Sequence, residues 1–299
     1  MNKKHFLAYL LAGLLVCVVI YVYRSNSTPA AIDPSDITLA SPDQALVEGA
    51  SADASKNEEL IKTYTAKIES AGDTDGDSYY KRGMVYQSMM QYRLAIQDFT
   101  RALNIVPKSH NALYARALSY QKEHMLDEAV TDLTSAIEMN PNFVAAYNSR
   151  GIIYAEQGKV NEAMNDYKMV ISMDPTFYQG YFNQGILYVQ QKQYPEAKAA
   201  FDQAIASNKP ASNATAEEIK QSKDNLAKAY MHRASVELVT KDLTAALDDV
   251  NYVITNDPKN ADAFRLRAQI YSEQGNAADS SADVATADSL SMENLLNKK

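Results

Sequence analysis

With a single cysteine, Cys17, in 299 residues, the chain can form neither an internal disulfide nor a thiolate cluster for zinc. It also lacks an excess of basic charge: 37 Asp and Glu outweigh 29 Lys and Arg, giving a formal charge of −8. A nucleic-acid binder normally displays a basic stripe that neutralises phosphates, so this balance argues against such a partner. There is no Gly-rich phosphate loop, no nucleophile motif and no metal-ligand spacing. His110, His124 and His232 stand apart in the sequence and read as isolated surface or inter-helix histidines. No catalytic, metal or cofactor site emerges, and the chain reads as non-enzymatic.

What is present begins with Phe6 to Tyr23, FLAYLLAGLLVCVVIYVY, eighteen residues without a charge and preceded by Lys3 and Lys4. As a helix this run spans ~27 Å, close to the ~30 Å hydrocarbon thickness of a bilayer. Tyr21 and Tyr23 stand at its exit end, where amphipathic rings favour the headgroup level. Residues 6–23 therefore read as a transmembrane signal-anchor behind a short cytoplasmic N-terminus, residues 1–5. Two rivals stay open. A cleaved secretory signal has a shorter apolar core, although Thr28-Pro29-Ala30 is a tolerable cleavage site. A lipoprotein signal would use Cys17, but Val16 precedes it where a small residue is expected. Lys3 and Lys4 outnumber Arg24, so the positive-inside bias holds the N-terminus in the cytoplasm. The expected localisation is a single-pass protein of a bacterial inner membrane with the remainder in the periplasm.

Residues 24–57 turn to Ser, Ala, Asp and Pro without a sustained apolar period, the composition of a flexible linker. Ile61, Tyr64 and Ile68 then recur at helical spacing and mark residues 58–75 as a candidate capping helix. Asp73-Thr74-Asp75-Gly76-Asp77 begins like a calcium loop, yet Ser78 and Met84 occupy the places where that loop needs Gly and a bidentate Glu. The stretch reads instead as an acidic turn capping the next helix.

From Gly76 to Ala211 one 34-residue pattern is written four times. Counting each repeat from Gly76, His110, Val144 and Tyr178, position 4 is Tyr79, Leu113, Tyr147 and Tyr181, and position 8 is Gly83, Ala117, Gly151 and Gly185. Position 11 is Tyr86, Tyr120, Tyr154 and Tyr188. These lie on one helical face, bulky residues flanking a small one. A second helix carries Ala95, Ala129, Ala163 and Ala197 at position 20, then Phe99, Leu133, Tyr167 and Phe201 at position 24. Small residues at 8 and 20 let two backbones approach while the rings fill the space beside them. Pro107, Pro141 and Pro175 close the second helix, because proline lacks the amide hydrogen and disfavours helix at its predecessor.

This pattern resembles the tetratricopeptide repeat, which implies an all-α solenoid of helix-turn-helix units. Position 7 departs from the family's Leu, with Arg82, Arg116, Arg150 and Gln184; an Arg there buries its stem and keeps its head wet. After an insertion, residues 212–226, the pattern resumes through residues 227–294 as a fifth and a sixth repeat, and residues 295–299 form a tail. Thr215-Ala216-Glu217-Glu218 reads as a capping box, and Ile219, Leu226 and Tyr230 continue one stripe. A first helix lengthened by about three turns and projecting from the array is expected, a plain surface loop being the alternative. Glu237 in place of Tyr at position 11 suggests looser packing in the fifth repeat.

The resemblance further implies a concave groove lined by first helices. Its candidate residues are Tyr80, Tyr114, Asn148, Phe182 and Met231 at position 5, with Met84, Leu118, Ile152 and Ile186 at position 9. Core packing accounts for position 9 as readily as a groove does. The rings at position 5 are harder to assign to the core, since positions 4, 8 and 11 already fill that side. An exposed aromatic groove is a site for a peptide or helix. The chaperone-binding clamp of some family members is incomplete here, with Asp77, Asn111 and Ala145 at position 2, which disfavours a co-chaperone role. The expectation is a membrane-anchored adaptor for a protein or peptide partner. Its rivals are a structural component of a membrane complex, docked through the projecting helix and outer faces, and an accessory adaptor of an envelope protease.

Overall fold

The computed structural model describes residues 54–210 and 212–296. Among these are thirteen helices and no strand: α1 (Ala54–Ser70), α2 (Gly76–Ser88), α3 (Tyr92–Ile105), α4 (His110–Lys122), α5 (Leu126–Met139), α6 (Val144–Glu156), α7 (Val160–Met173), α8 (Tyr178–Gln190), α9 (Tyr194–Ser207), α10 (Ala216–Thr240), α11 (Leu243–Asn256), α12 (Ala261–Glu273) and α13 (Ala277–Leu296). The apolar run 6–23 and most of the stretch read as linker lie outside the described residues. Within the described residues no helix is long and apolar enough to cross a membrane. The chain forms two compact bodies that divide between Ala163 and Met164.

In both bodies the helices pack in sequential pairs, and neighbouring first helices also touch. The second helix stops at Ile105, Met139 and Met173, two residues ahead of each repeat's proline. α1 begins at Ala54, inside the stretch read as linker, and buries Asn57, Tyr64 and Ile68. Ile68 joins the core of the first body with Tyr79 and Phe99, so α1 serves as a second helix for α2. Asp75 caps α2, its carboxylate accepting from the Ser78 amide at 3.0 Å.

Each pair closes on position 8. A Cβ placed on Gly83 would come within 2.7 Å of Phe99 Cε1, and one on Gly185 within 2.6 Å of Phe201 Cε1. The ring therefore sits on the glycine itself rather than beside it. The sequence keeps the match: where position 8 is Ala117, Ala234 or Ala268, position 24 is the smaller Leu133, Val250 or Val284.

The arginines at position 7 are not wet. Arg82 Nε and Nη2 donate to Asp98 at 2.7 and 2.8 Å, and Arg116 does the same to Asp132 at 2.7 and 2.8 Å. Arg233 with Asp249 and Arg267 with Asp283 repeat the fork. The remaining nitrogen, Nη1, reaches the preceding second helix: Arg82 to Thr65, Arg116 to Thr100, Arg150 to Thr134, Arg233 to Asp202 and Arg267 to Asn251. Rings at positions 4 and 11 cover the guanidinium, as Tyr79 and Tyr86 do for Arg82 at 5.5 and 6.0 Å. One planar cation thus ties three helices together, which a Lys could not do in this geometry.

Position 15 ends the first helix in the left-handed region in every repeat. Gly158 and Gly275 adopt it without a side-chain penalty, whereas Met90, His124, Lys192 and Lys241 adopt it at φ of 58, 58, 60 and 68°.

Candidate functional site

The predicted position 5 residues do not form an exposed aromatic groove. Tyr80, Tyr114 and Phe182 are 3, 0 and 6% exposed, and Asn148 is buried as well. The reason is angular. Position 5 lies one residue, about 100°, around the helix from position 4, and that turns it toward the next repeat rather than toward solvent. The Tyr114 ring on α4 packs 4.9 Å from Phe143, at the entry to α6, and its hydroxyl meets Ser149 Oγ of α6 at 3.4 Å. Phe182 on α8 packs against Phe201 at 5.7 Å and His232 of α10 at 5.2 Å. Tyr80 meets Phe99 at 5.8 Å. Tyr114 and Phe182 thus cement one repeat to the next, and Tyr80 packs on the second helix of its own repeat. Burial pushes the Tyr114 hydroxyl up to about 12 and the Tyr80 hydroxyl higher still.

Position 9 divides. Leu118 is buried, while Met84 and Ile152 in the first body and Ile186 in the second are partly exposed, as is Met231 at position 5 of the fifth repeat. In the first body, Asp77 and Lys81 on α2 form an ion pair of 2.8 Å on partly exposed side chains. At positions 5 and 9 what remains accessible is therefore aliphatic and thioether surface, with the position 5 rings Tyr80, Tyr114 and Phe182 buried and tyrosines such as Tyr86, Tyr154 and Tyr188 partly exposed elsewhere on the first helices.

The insertion is helical. α10 runs from Ala216 to Thr240 behind a complete capping box, in which the Glu218 amide donates to Thr215 Oγ1 and the Thr215 amide to Glu218 Oε2. It does not simply project. Asn208 Nδ2 donates to the Ser222 carbonyl at 2.7 Å, and Tyr178 Oη donates to the Asn225 carbonyl at 2.9 Å. Residues 216–221 form its longest unbroken exposed stretch, Ile219 among them, and Lys223 and Asp224 are exposed beyond the buried Ser222. A recess of about 270 Å³ lies between the α9–α10 connection and the Glu218, Gln221, Ser222 and Asn225 side of α10.

The fifth repeat is not loosely packed around Glu237. That side chain is 1% exposed and ion-paired with Lys198 of α9, and burial holds its carboxyl above the usual carboxylate range against the pull of Lys198. His232 is buried between Phe182 and Phe201, and desolvation, with Lys228 nearby, lowers it to about 4. His110 packs edge-on against Phe143, and His124 is exposed. Among the described residues no group of three or more His, Cys, Asp or Glu side chains is placed to hold a metal ion.

Models of the tetratricopeptide repeat family match residues 76–109, 110–143, 144–177 and 178–210. No curated protein matches the chain. Among solved structures, a tetratricopeptide repeat protein from Parabacteroides merdae superposes with a TM-score of 0.59 at 19% identity, covering 82% of this chain and 91% of that one. PilW, described as a widely conserved type IV pilus biogenesis factor, gives 0.57 at 22% identity over 70 and 90% of the two chains. YrrB, described as a TPR protein with an unusual peptide-binding site, gives 0.50 at 18% identity over 66 and 94%.

Proposed function

Residues 76–210 are tetratricopeptide repeats and the chain belongs to that family; from this premise we propose that it is a membrane-anchored, non-enzymatic adaptor that holds a peptide or helix of a partner protein against its first helices. The observation that carries the reading is the partly exposed apolar surface left on those helices, Met84 and Ile152 in the first body and Ile186 and Met231 in the second. Half-exposed thioether and aliphatic groups flanked by polar ones suit an amphipathic or extended segment, and Met adapts to varied side chains. The fold it shares with YrrB, a peptide-binding protein, supports the same reading. The anchor rests on the uncharged run 6–23 behind Lys3 and Lys4, and the same bias places the repeats on the far side of a bacterial inner membrane.

A photo-crosslinking residue at 84, 152, 186 or 231, used in intact membranes, is expected to give partner adducts. The same residue at Met139 or Met169, exposed on second helices, is expected to give none. Adducts confined to the second-helix sites would overturn the reading. A reporter fused after Lys299 is expected to be active only outside the cytoplasm, and cytoplasmic activity would overturn the orientation. The rival reading, a docked assembly component, is favoured by the exposed first turn of α10 with Ile219. Ile219→Asp is expected to leave capture intact in an adaptor and to dissolve the complex of an assembly component.

A further inference from the structure

Given an adaptor that holds a partner on its first helices, the reading on which this inference rests, we propose that Asp77 and Tyr80 of α2 receive a primary ammonium group of the partner segment, in a place that Lys81 holds in the free chain. Two buried oxygens of the first body, Asp77 Oδ1 and Tyr80 Oη, have no hydrogen-bond partner among the described residues. They stand three residues apart, on one face of the helix. The next repeat shows why the Tyr80 hydroxyl is left over. Its counterpart Tyr114 meets the Ser149 hydroxyl at position 6 of the following first helix, whereas position 6 of the first helix that follows Tyr80 is Ala115, without a polar side-chain atom. A buried polar atom without a partner is destabilising, so two side by side point to bonds made only with a guest.

Both oxygens call for a donor. A carboxylate only accepts, and burial together with the Asp77 charge holds the Tyr80 hydroxyl well above its ordinary value, so it stays neutral and keeps its lone pairs. The negative charge selects a cation, and an ammonium brings three N–H groups. Lys81 shows the fit from within the chain: its Nζ lies 2.8 Å from Asp77 Oδ2, and the two side chains are 27 and 34% exposed. An i, i+4 pair at the surface is weak enough to exchange against an incoming cation. Repeats two to four carry no such pair, with Asn111, Ala145 and Gln179 at position 2 and Ala115, Ser149 and Asn183 at position 6. Met84, one turn beyond Tyr80 on the same face, is partly exposed and gives the alkyl stem of a lysine an apolar seat.

The full chain in nanodiscs, its methionine methyls labelled with carbon-13, is titrated with acetyl-Gly-Lys-Gly-amide and with the same peptide carrying Gln in place of Lys. The lysine peptide is expected to shift the Met84 methyl saturably, and the glutamine peptide to leave it in place. Lys81→Met removes the internal competitor and is expected to tighten the lysine peptide about two- to fivefold. Asp77→Asn is expected to weaken it about tenfold, and Tyr80→Phe, which keeps the ring in the core, about threefold. Asp248→Asn removes the same charge from an exposed position of α11 in the second body and is expected to change nothing. Equal shifts by the two peptides, or full affinity in Asp77→Asn, would overturn the proposal. So would a loss in Asp248→Asn as large as that in Asp77→Asn, the mark of attraction to net charge alone. Absent peptide binding with partner adducts at 84 intact would strike this contact and leave the adaptor reading, whereas peptide binding without adducts would strike the adaptor reading and leave the ammonium site.

Discussion

The pairing of glycine with an aromatic ring at positions 8 and 24 makes a prediction in which two damaging changes cancel. Gly83→Ala places a methyl 2.7 and 2.8 Å from Phe99 Cε1 and Cδ1, where ordinary contact begins near 3.4 Å. Phe99 is fully buried with Tyr80 packed against it, so the ring has no free direction in which to withdraw. Overpacking of this kind costs about 1–3 kcal/mol, offset by roughly 1 kcal/mol of helix propensity gained on leaving glycine. The net loss is expected to be about 1 kcal/mol. Phe99→Leu alone opens space beside Gly83 and is expected to cost about 1–2 kcal/mol. Combined, the methyl enters the space the ring has left, reproducing Ala117 with Leu133 in the next repeat. The double variant is expected within about 1 kcal/mol of the parent, a coupling of roughly 1–2 kcal/mol. Denaturation midpoints of the four proteins, with m-values checked for constancy, measure it. Losses that simply add would refute the claim that glycine is there to receive the ring.

The same packing carries three further outcomes. Asp132→Ala leaves Arg116 charged, largely buried and unpaired, and is expected to cost about 3 kcal/mol, whereas Arg116→Gln with Asp132→Ala costs distinctly less; thermal unfolding of both variants checks the sign of the coupling. Met90→Gly and Lys192→Gly relieve left-handed backbone at φ 58 and 60° and are each expected to stabilise by about 0.5–1 kcal/mol in denaturant titrations. His232, lowered to about 4, favours its neutral form in the fold, so its contribution is complete above the unfolded value near 6.5 and is lost as pH falls toward 4. About 2 kcal/mol should be gone at pH 5, and His232→Phe should flatten the stability profile between pH 6.5 and 5. An unchanged slope in that variant would assign the acid sensitivity to other groups.

Much of the fold is legible in the sequence because a repeat states each rule several times. The period places the helix pairs, the prolines place the ends of second helices, and the Thr215 box places the start of α10. The guanidinium struts are written there too, but less openly. Arg and Asp recur sixteen residues apart at Arg82 and Asp98, Arg116 and Asp132, Arg150 and Asp166, Arg233 and Asp249, and Arg267 and Asp283. The fourth repeat loses both at once, in Gln184 and Ala200. Each arginine taken alone looks like a snorkelling surface residue, and only the joint gain and loss reveals an ion pair. Glu237 misleads for a similar reason, since its partner Lys198 lies on α9, in the preceding repeat, where no local spacing brings the two together.

The candidate site is legible only in part, and Tyr80, Tyr114 and Phe182 show why. Period and spacing fix which residues share a helix face but not which neighbour that face meets. Two faces of a first helix are buried in a stacked array, one against its own second helix and one against the next repeat. Positions 4, 8 and 11 satisfy the first, while Tyr114 and Phe182 at position 5 also reach the second, through Ser149 and His232 of the following repeat. Changing all three rings to Ser therefore tests folding rather than capture. Each truncation of a ring buried this completely is expected to cost about 3 kcal/mol or more, enough to separate repeats before any partner is lost. Met84→Glu with Ile152→Glu is the informative pair for the first body, since both side chains already reach solvent. Loss of partner crosslinks with unchanged helicity and unfolding midpoint would support binding on the first helices. Crosslinks that persist would move the site to another surface.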